Sequence, residues 1–169
     1  MKQMISKWAS KREVYKSNKA IELGIDNMPN KTQRHNLYKV CRLFDLIRTN
    51  FGVPIGISSG FRSVELNEAI GGASNSQHCA LNGAALDIDA DIYGRVTNKE
   101  IFEYILRVGE FDQVIYEFPD ISGEPAWIHV SYNTIETNRR EALVAYKSNG
   151  RTKYVTYDYW KSKIYKPKK

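Results

Sequence analysis

Residues 76–89 read Ser-Gln-His-Cys-Ala-Leu-Asn-Gly-Ala-Ala-Leu-Asp-Ile-Asp, and they hold the densest chemistry in the chain. His78 and Asp87 stand nine residues apart, with Gly83 and small side chains between them. The stretch closes on an apolar–Asp–apolar–Asp alternation, the pattern of a buried strand that carries acids on one face. A carboxylate among strand residues is costly to desolvate unless it is paired or bound to a metal. His129 sits in a second strand-like run, Trp127-Ile128-His129-Val130-Ser131-Tyr132. There Trp127, His129 and Ser131 share one face and Ile128, Val130 and Tyr132 the other, so His129 points with polar company. Two imidazoles and a carboxylate make a three-ligand set for Zn²⁺, leaving a fourth position for a water that ionises near neutral pH. Asp89 shares the strand face of Asp87 and is the alternative carboxylate.

Several elements must carry these residues. A helix is predicted over 32–50, because Leu37, Val40, Cys41, Phe44, Ile47 and Phe51 recur at three- and four-residue steps and Gly52 follows. A short strand is predicted over 53–57, weakened by Pro54, and Ser63 can cap a short helix over 64–70. The first acidic strand covers 84–90. Thr97-Asn98-Lys99-Glu100 is a capping box that opens a helix whose Ile101, Phe102, Ile105 and Val108 face the core, with Gly109 at its end. Strands follow over 113–117 and 127–132, then a hairpin of 142–147 and 153–157 around Ser148-Asn149-Gly150. Residues 1–30 are polar with short helical turns, and the lysine-rich end is expected to be loose. From periodicity alone the class is mixed α and β.

Composition narrows the function. The chain has 169 residues, 42% hydrophobic and 26% charged, which suits one globular domain with a sizeable core. No apolar run approaches a membrane span of about 18 residues, so none is expected. The first eight residues contain no apolar core of a secretory signal. Net charge is +6, concentrated towards the two ends, where it reads first as solvated faces and a frayed tail, and it also suits an anionic cell wall. A nucleic-acid partner is not expected, since only Tyr154, Tyr157, Tyr159 and Lys161 hint at aromatic–basic interleaving. Cys41 and Cys79 are far apart, and no disulfide is expected. Phosphate-binding loops, dinucleotide fingerprints, CxxC pairs and serine-hydrolase elbows are all absent from the sequence.

The order of motifs carries a resemblance. Ser76-x-His78, Gly83-x-Ala85-x-Asp87 and Trp127-x-His129 are preceded by Gly24-Ile25-Asp26-Asn27, Phe51-Gly52-Val53-Pro54-Ile55, Ser59-Gly60-Phe61-Arg62-Ser63, Leu66-Asn67 and Ile70-Gly71-Gly72. Phe111-Asp112-Gln113-Val114-Ile115-Tyr116-Glu117 lies between the last two ligands. Together these resemble the zinc D-Ala-D-Ala carboxypeptidase and L-alanyl-D-glutamate endopeptidase family, closest to its small phage and bacterial branch. The likeness runs from about residue 5 to 154. It implies an α+β domain with a small antiparallel sheet flanked by helices, the fold also found in the hedgehog signalling domain. Residues 1–169 would then be one zinc peptidase domain, with an N-terminal segment over 1–30 and a basic tail over 158–169.

The resemblance also implies roles. His78, Asp87 and His129 would hold Zn²⁺, with the Gly-x-Ala-x-Asp unit intact although four residues, not the usual two, separate His78 from Gly83. The position three before the last histidine, often a carboxylate, is Ala126 here; in the phage-like branch the acid ends the preceding strand, which makes Glu117 the general base and Glu124 its alternative. Arg62 would bind substrate or stabilise the oxyanion, and Ser76 and Gln77 would line the site. The implied activity is hydrolysis of peptidoglycan stem peptides, as a D,D-carboxypeptidase or an endolysin-type endopeptidase. A different class remains open: a zinc-containing binding or structural module without activity, such as a virion or wall-associated component. Synthesis in the cytoplasm, then action on the wall after release, is the matching location.

Overall fold

A computed structural model describes residues 3–165, so Lys166, Lys168 and Lys169 of the basic tail lie outside the described residues. The fold is α+β, one domain built on a six-stranded, mostly antiparallel sheet. Chain order gives α1 (Lys11–Tyr15), α2 (Asn18–Leu23), α3 (Lys31–Phe51), β1 (Gly56–Ser59), α4 (Val64–Ala69), β2 (Gly83–Asp89), α5 (Asn98–Val108), β3 (Gln113–Glu117), β4 (Trp127–Asn133), β5 (Glu141–Ser148), β6 (Arg151–Thr156) and α6 (Tyr157–Tyr159). The strands lie in the order β1-β2-β4-β3-β5-β6, and only β3 and β5 run parallel. Among the described residues no helix is long and apolar enough to cross a membrane.

Strand alternation divides the sheet's two faces. Leu86, Ile88, Val114, Tyr116, Ile128, Val130 and Val144 are all buried on one face, under α3 and α5. Their registers agree: Val114 stands opposite Val130, Tyr116 opposite Ile128, and Leu86 opposite Val130. The residues between them, Asp87, His129, Ile115, Glu117 and Leu143, therefore share the other face. Slipping one strand by a residue would drive the acids into the core, so burial of the apolar face fixes the register.

The helices follow local rules. Asn30 and Gln33 cap α3 reciprocally and Gly52 ends it in the left-handed region, φ 65°. Thr97 and Glu100 form the expected box on α5, and Gly109 closes it at φ 82°. Val108 stays exposed; Leu106, one position after Ile105, packs at the core margin instead. The first strand begins at Gly56, later than the alternation suggests. Pro54 has no N–H to give a ladder, and pairing with β2 starts only where Gly56 meets Asp89. The β5–β6 hairpin turns on Asn149 and Gly150, φ 51° and 75°, as a two-residue turn requires.

The two ends contribute more than their composition suggests. Ala9, Val14 and Tyr15 belong to the core. Residues 157–165 are not loose: Tyr157 and Trp160 are buried, Trp160 stacks on Tyr165 at 4.8 Å, and both Tyr157 and Trp160 reach Tyr116 at 5.6 Å. Lysines 161 and 163 face solvent around this aromatic spacing and conceal it in the sequence.

Candidate metal centre

His78 sits on a single 3₁₀ turn, Gln77–Cys79, which Ala80 ends with φ 54°. The turn is latched to α3. Gln33 Nε2 donates to the Cys79 carbonyl at 3.0 Å, and Asn36 Nδ2 donates to those of Ala80 and Leu81 at 2.9 and 3.1 Å. The two extra residues between His78 and Gly83 are thus accommodated in a bonded loop. On the other side, Arg62 N donates to the His78 carbonyl at 3.0 Å. His78 Nδ1 donates to the Gly60 carbonyl at 2.6 Å, which leaves a lone pair on Nε2 directed into the site.

Asp87 and His129 are direct cross-strand partners in β2 and β4. Their spacing follows from the ladder, with opposed Cβ atoms about 4.5–5.5 Å apart. His78 Nε2 lies 3.2 Å from His129 Nδ1 and 3.3 Å from Asp87 Oδ1, and the last two atoms are 2.9 Å apart. Metal–ligand bonds of about 2.0–2.1 Å at tetrahedral angles require edges of about 3.3 Å. His78 Nδ1 is committed to the Gly60 carbonyl, so Nε2, 3.3 Å from Asp87 Oδ1, is the atom placed to ligate a cation held between them. The three residues fit a metal ion, and His78 is 3% exposed. Burial by itself would raise the Asp87 carboxyl, but His78 and His129 outweigh it and hold it well below the usual carboxylate range. Asp89 accepts from Asp91 N at 2.9 Å and turns the corner after β2, outside this set.

A cleft of about 590 Å³ surrounds the three donors. Glu117 enters it from the end of β3, opposite Trp127 and one strand step from His129. It is 8% exposed, and burial pushes its carboxyl up to about 7, against the pull of His129 and with a further push from Asp87. Arg62 reaches the same cleft; its Nη1 lies 3.4 Å from Asn67 Oδ1, and its buried Nε has no partner among the described residues. Phe118, Trp127, Leu143 and Tyr154 form an apolar wall, with Phe118 and Trp127 rings 5.3 Å apart. Ser76 and Gln77 also line the cleft. Glu124 lies outside the cleft lining: its carboxylate accepts from Lys99 N at 2.8 Å, at the start of α5.

One network escapes sequence reasoning. Asp112, 1% exposed, accepts from Gln77 Nε2 at 2.9 Å and from Arg139 Nε and Nη2 at 2.9 and 2.8 Å. It ties the His78 turn to the loop after β4, and Arg139, Gln77 and neighbouring hydrogen bonds hold its carboxyl below the usual range despite burial. The signal was present, since Asp112 lies in the run from Phe111 to Glu117, but its partners stand 27 and 35 residues away.

A search among curated proteins gives no match. A family model described as peptidase M15 matches residues 9–131, a stretch that holds Arg62, His78, Asp87, Glu117 and His129. Since that match spans well over half of the sequence, the chain belongs to the peptidase M15 family.

Proposed function

We propose that this protein is a zinc metallopeptidase that hydrolyses peptidoglycan stem peptides. One observation carries the reading: three donor atoms from a loop and two strands converge within 3.3 Å beside a buried carboxylate raised to about 7. Bound at His78, Asp87 and His129, Zn²⁺ would supply Lewis acidity and a water that ionises near neutral pH. Glu117 takes a proton from the attacking water and delivers it to the leaving amine, a task that suits a group titrating near the working pH. Arg62 directs a guanidinium that stays charged and forks onto a carbonyl or carboxylate oxygen of the substrate. Trp127, Phe118 and Tyr154 shield the reacting atoms from bulk water.

Peptidoglycan as substrate is supported by family membership and by a net charge of +6, which favours an anionic wall reached after the protein leaves the cell that made it. Mass spectrometry of purified peptidoglycan after digestion tests the reading. New peptide termini with wild type, and none with zinc-loaded Glu117→Gln, are expected. An intact digest with fully zinc-loaded wild type would instead favour a metal-containing binding module.

A further inference from the structure

The cleft face of the sheet is laid out in rows. Cross-strand partners place Asp87, His129, Ile115 and Leu143 in one row. The neighbouring row on that face is Trp127, Glu117, Ala145 and Tyr154, taken from β4, β3, β5 and β6 in turn. Burial agrees: Val144 and Val155, which adjoin Ala145 and Tyr154 in sequence, turn to the core on the opposite face. Across the sheet, the metal donors on β2 and β4 therefore stand to one side of Glu117, and Tyr154 stands to the other.

Two strand spacings, about 10 Å, separate the backbones of Glu117 and Tyr154. Ala145 alone stands between them in the row, and it contributes a single methyl, 0% exposed. Both longer side chains line the cleft, with Phe118 and Leu143 beside them. The Tyr116 and Tyr165 hydroxyls donate to the Gly123 and Ser122 carbonyls, whereas the Tyr154 hydroxyl makes no hydrogen bond among the described residues. Burial, then the charge of Glu117, raise this phenol above its ordinary value, so it stays protonated and able to donate.

The chemistry sets a direction. The carbonyl under attack lies at the metal, and Glu117 delivers its proton to the leaving amine. The released half of the substrate thus begins at Glu117 and is directed over Ala145, towards Tyr154. We propose that Tyr154 is a substrate-binding residue whose hydroxyl donates to the first acceptor oxygen of the released half, a carboxylate at a chain end or a carbonyl within a chain. The methyl of Ala145 leaves room there for a residue with a small side chain. The inference rests on the peptidase reading above. Tyr154 lies beyond residue 131, where the family match ends, so that match does not supply this contact.

Zinc-loaded wild type, Tyr154→Phe and Tyr154→Ala test it on purified peptidoglycan, on a stem peptide with a free terminal carboxylate, and on the same peptide with that carboxylate amidated. Tyr154→Phe keeps the ring and removes only the hydroxyl. It is expected to retain zinc content and thermal melt, and to lose at least ~5-fold in kcat/KM on the peptides, or in rate on peptidoglycan where only the polymer is cut. A loss on the free peptide alone marks a terminal carboxylate as the acceptor, and a loss that includes the amidated peptide or the polymer marks a carbonyl; each upholds the proposal. Tyr154→Phe that matches wild type on every substrate, while Tyr154→Ala is impaired, overturns it and makes the ring a wall against water only. Matching rates for all three proteins overturn it as well. In both of those cases wild type cuts, so the peptidase reading stands. Zinc-loaded wild type that cuts neither the peptides nor peptidoglycan sinks both.

Discussion

Glu117 ionises at a cost that its burial sets, and the cost has a sign. Its ordinary value is 4.5 and its folded value about 7. Below about pH 4.5 it is protonated folded or unfolded; above about pH 7 it is charged in both, and the folded state bears the desolvation. Metal-free protein should therefore lose stability as pH rises through that window, and Glu117→Gln should recover on the order of 1–3 kcal/mol at pH 8 but little at pH 4. Thermal melts of metal-free wild type and variant check this, and a variant that melts lower at pH 8 would contradict it. The same variant should cut at least ~100-fold more slowly. Since the base must be ionised, turnover should climb with pH on its acid limb, and a bound cation should draw that limb to or below about pH 7. Arg62→Lys should fold and keep its zinc yet lose turnover, because lysine keeps the charge without the fork. His129→Ala should lose the metal by elemental analysis and melt lower, as metal binding is part of the folding free energy.

At the scale of elements, β2 and β4 could be read from alternation, and α3 and α5 from apolar spacing between caps. The opposed places of Asp87 and His129 then follow once the two strands pair. What escaped is the latch between α3 and the His78 turn. Gln33 and Asn36 are buried, yet helical periodicity assigns amides to the solvent side, and their partners stand more than forty residues on. β1 escaped for a related reason: its limits depend on where β2 offers partners, which a local pattern does not encode. Asn36→Ala should expose the worth of the latch. It strands the Ala80 and Leu81 carbonyls, while Thr134 Oγ1 loses Asn36 Oδ1 at 2.9 Å and keeps the Asn82 carbonyl at 3.1 Å. A loss of about 1–3 kcal/mol is expected from the unpaired groups. Zinc affinity, read by chelator competition, should fall about 10–100-fold as the turn loosens; unchanged zinc affinity would make the latch irrelevant to the metal.

Across the whole molecule, the family match stops at residue 131, but the domain does not. β5 and β6 supply Leu143 and Tyr154 to the cleft, and Trp160 seals the far end of the core over Tyr116. Trp160→Ala should cost about 3–5 kcal/mol, measured by denaturant unfolding, with the metal donors untouched. The parallel pairing of β3 with β5 adds a consequence in time. After β4, residues 134–140 carry the chain past the start of β3, where Arg140 N and Glu141 N bond to Phe111 and Asp112, so that β5 enters on the far side of β3. A growing chain that has released β4 already owns all three metal donors, while the strand bearing Glu117 is still an open edge. The ability to take up metal thus precedes completion of the cleft. A chain halted between residues 133 and 141 would carry the ion while Leu143 and Tyr154 were still missing from the cleft wall.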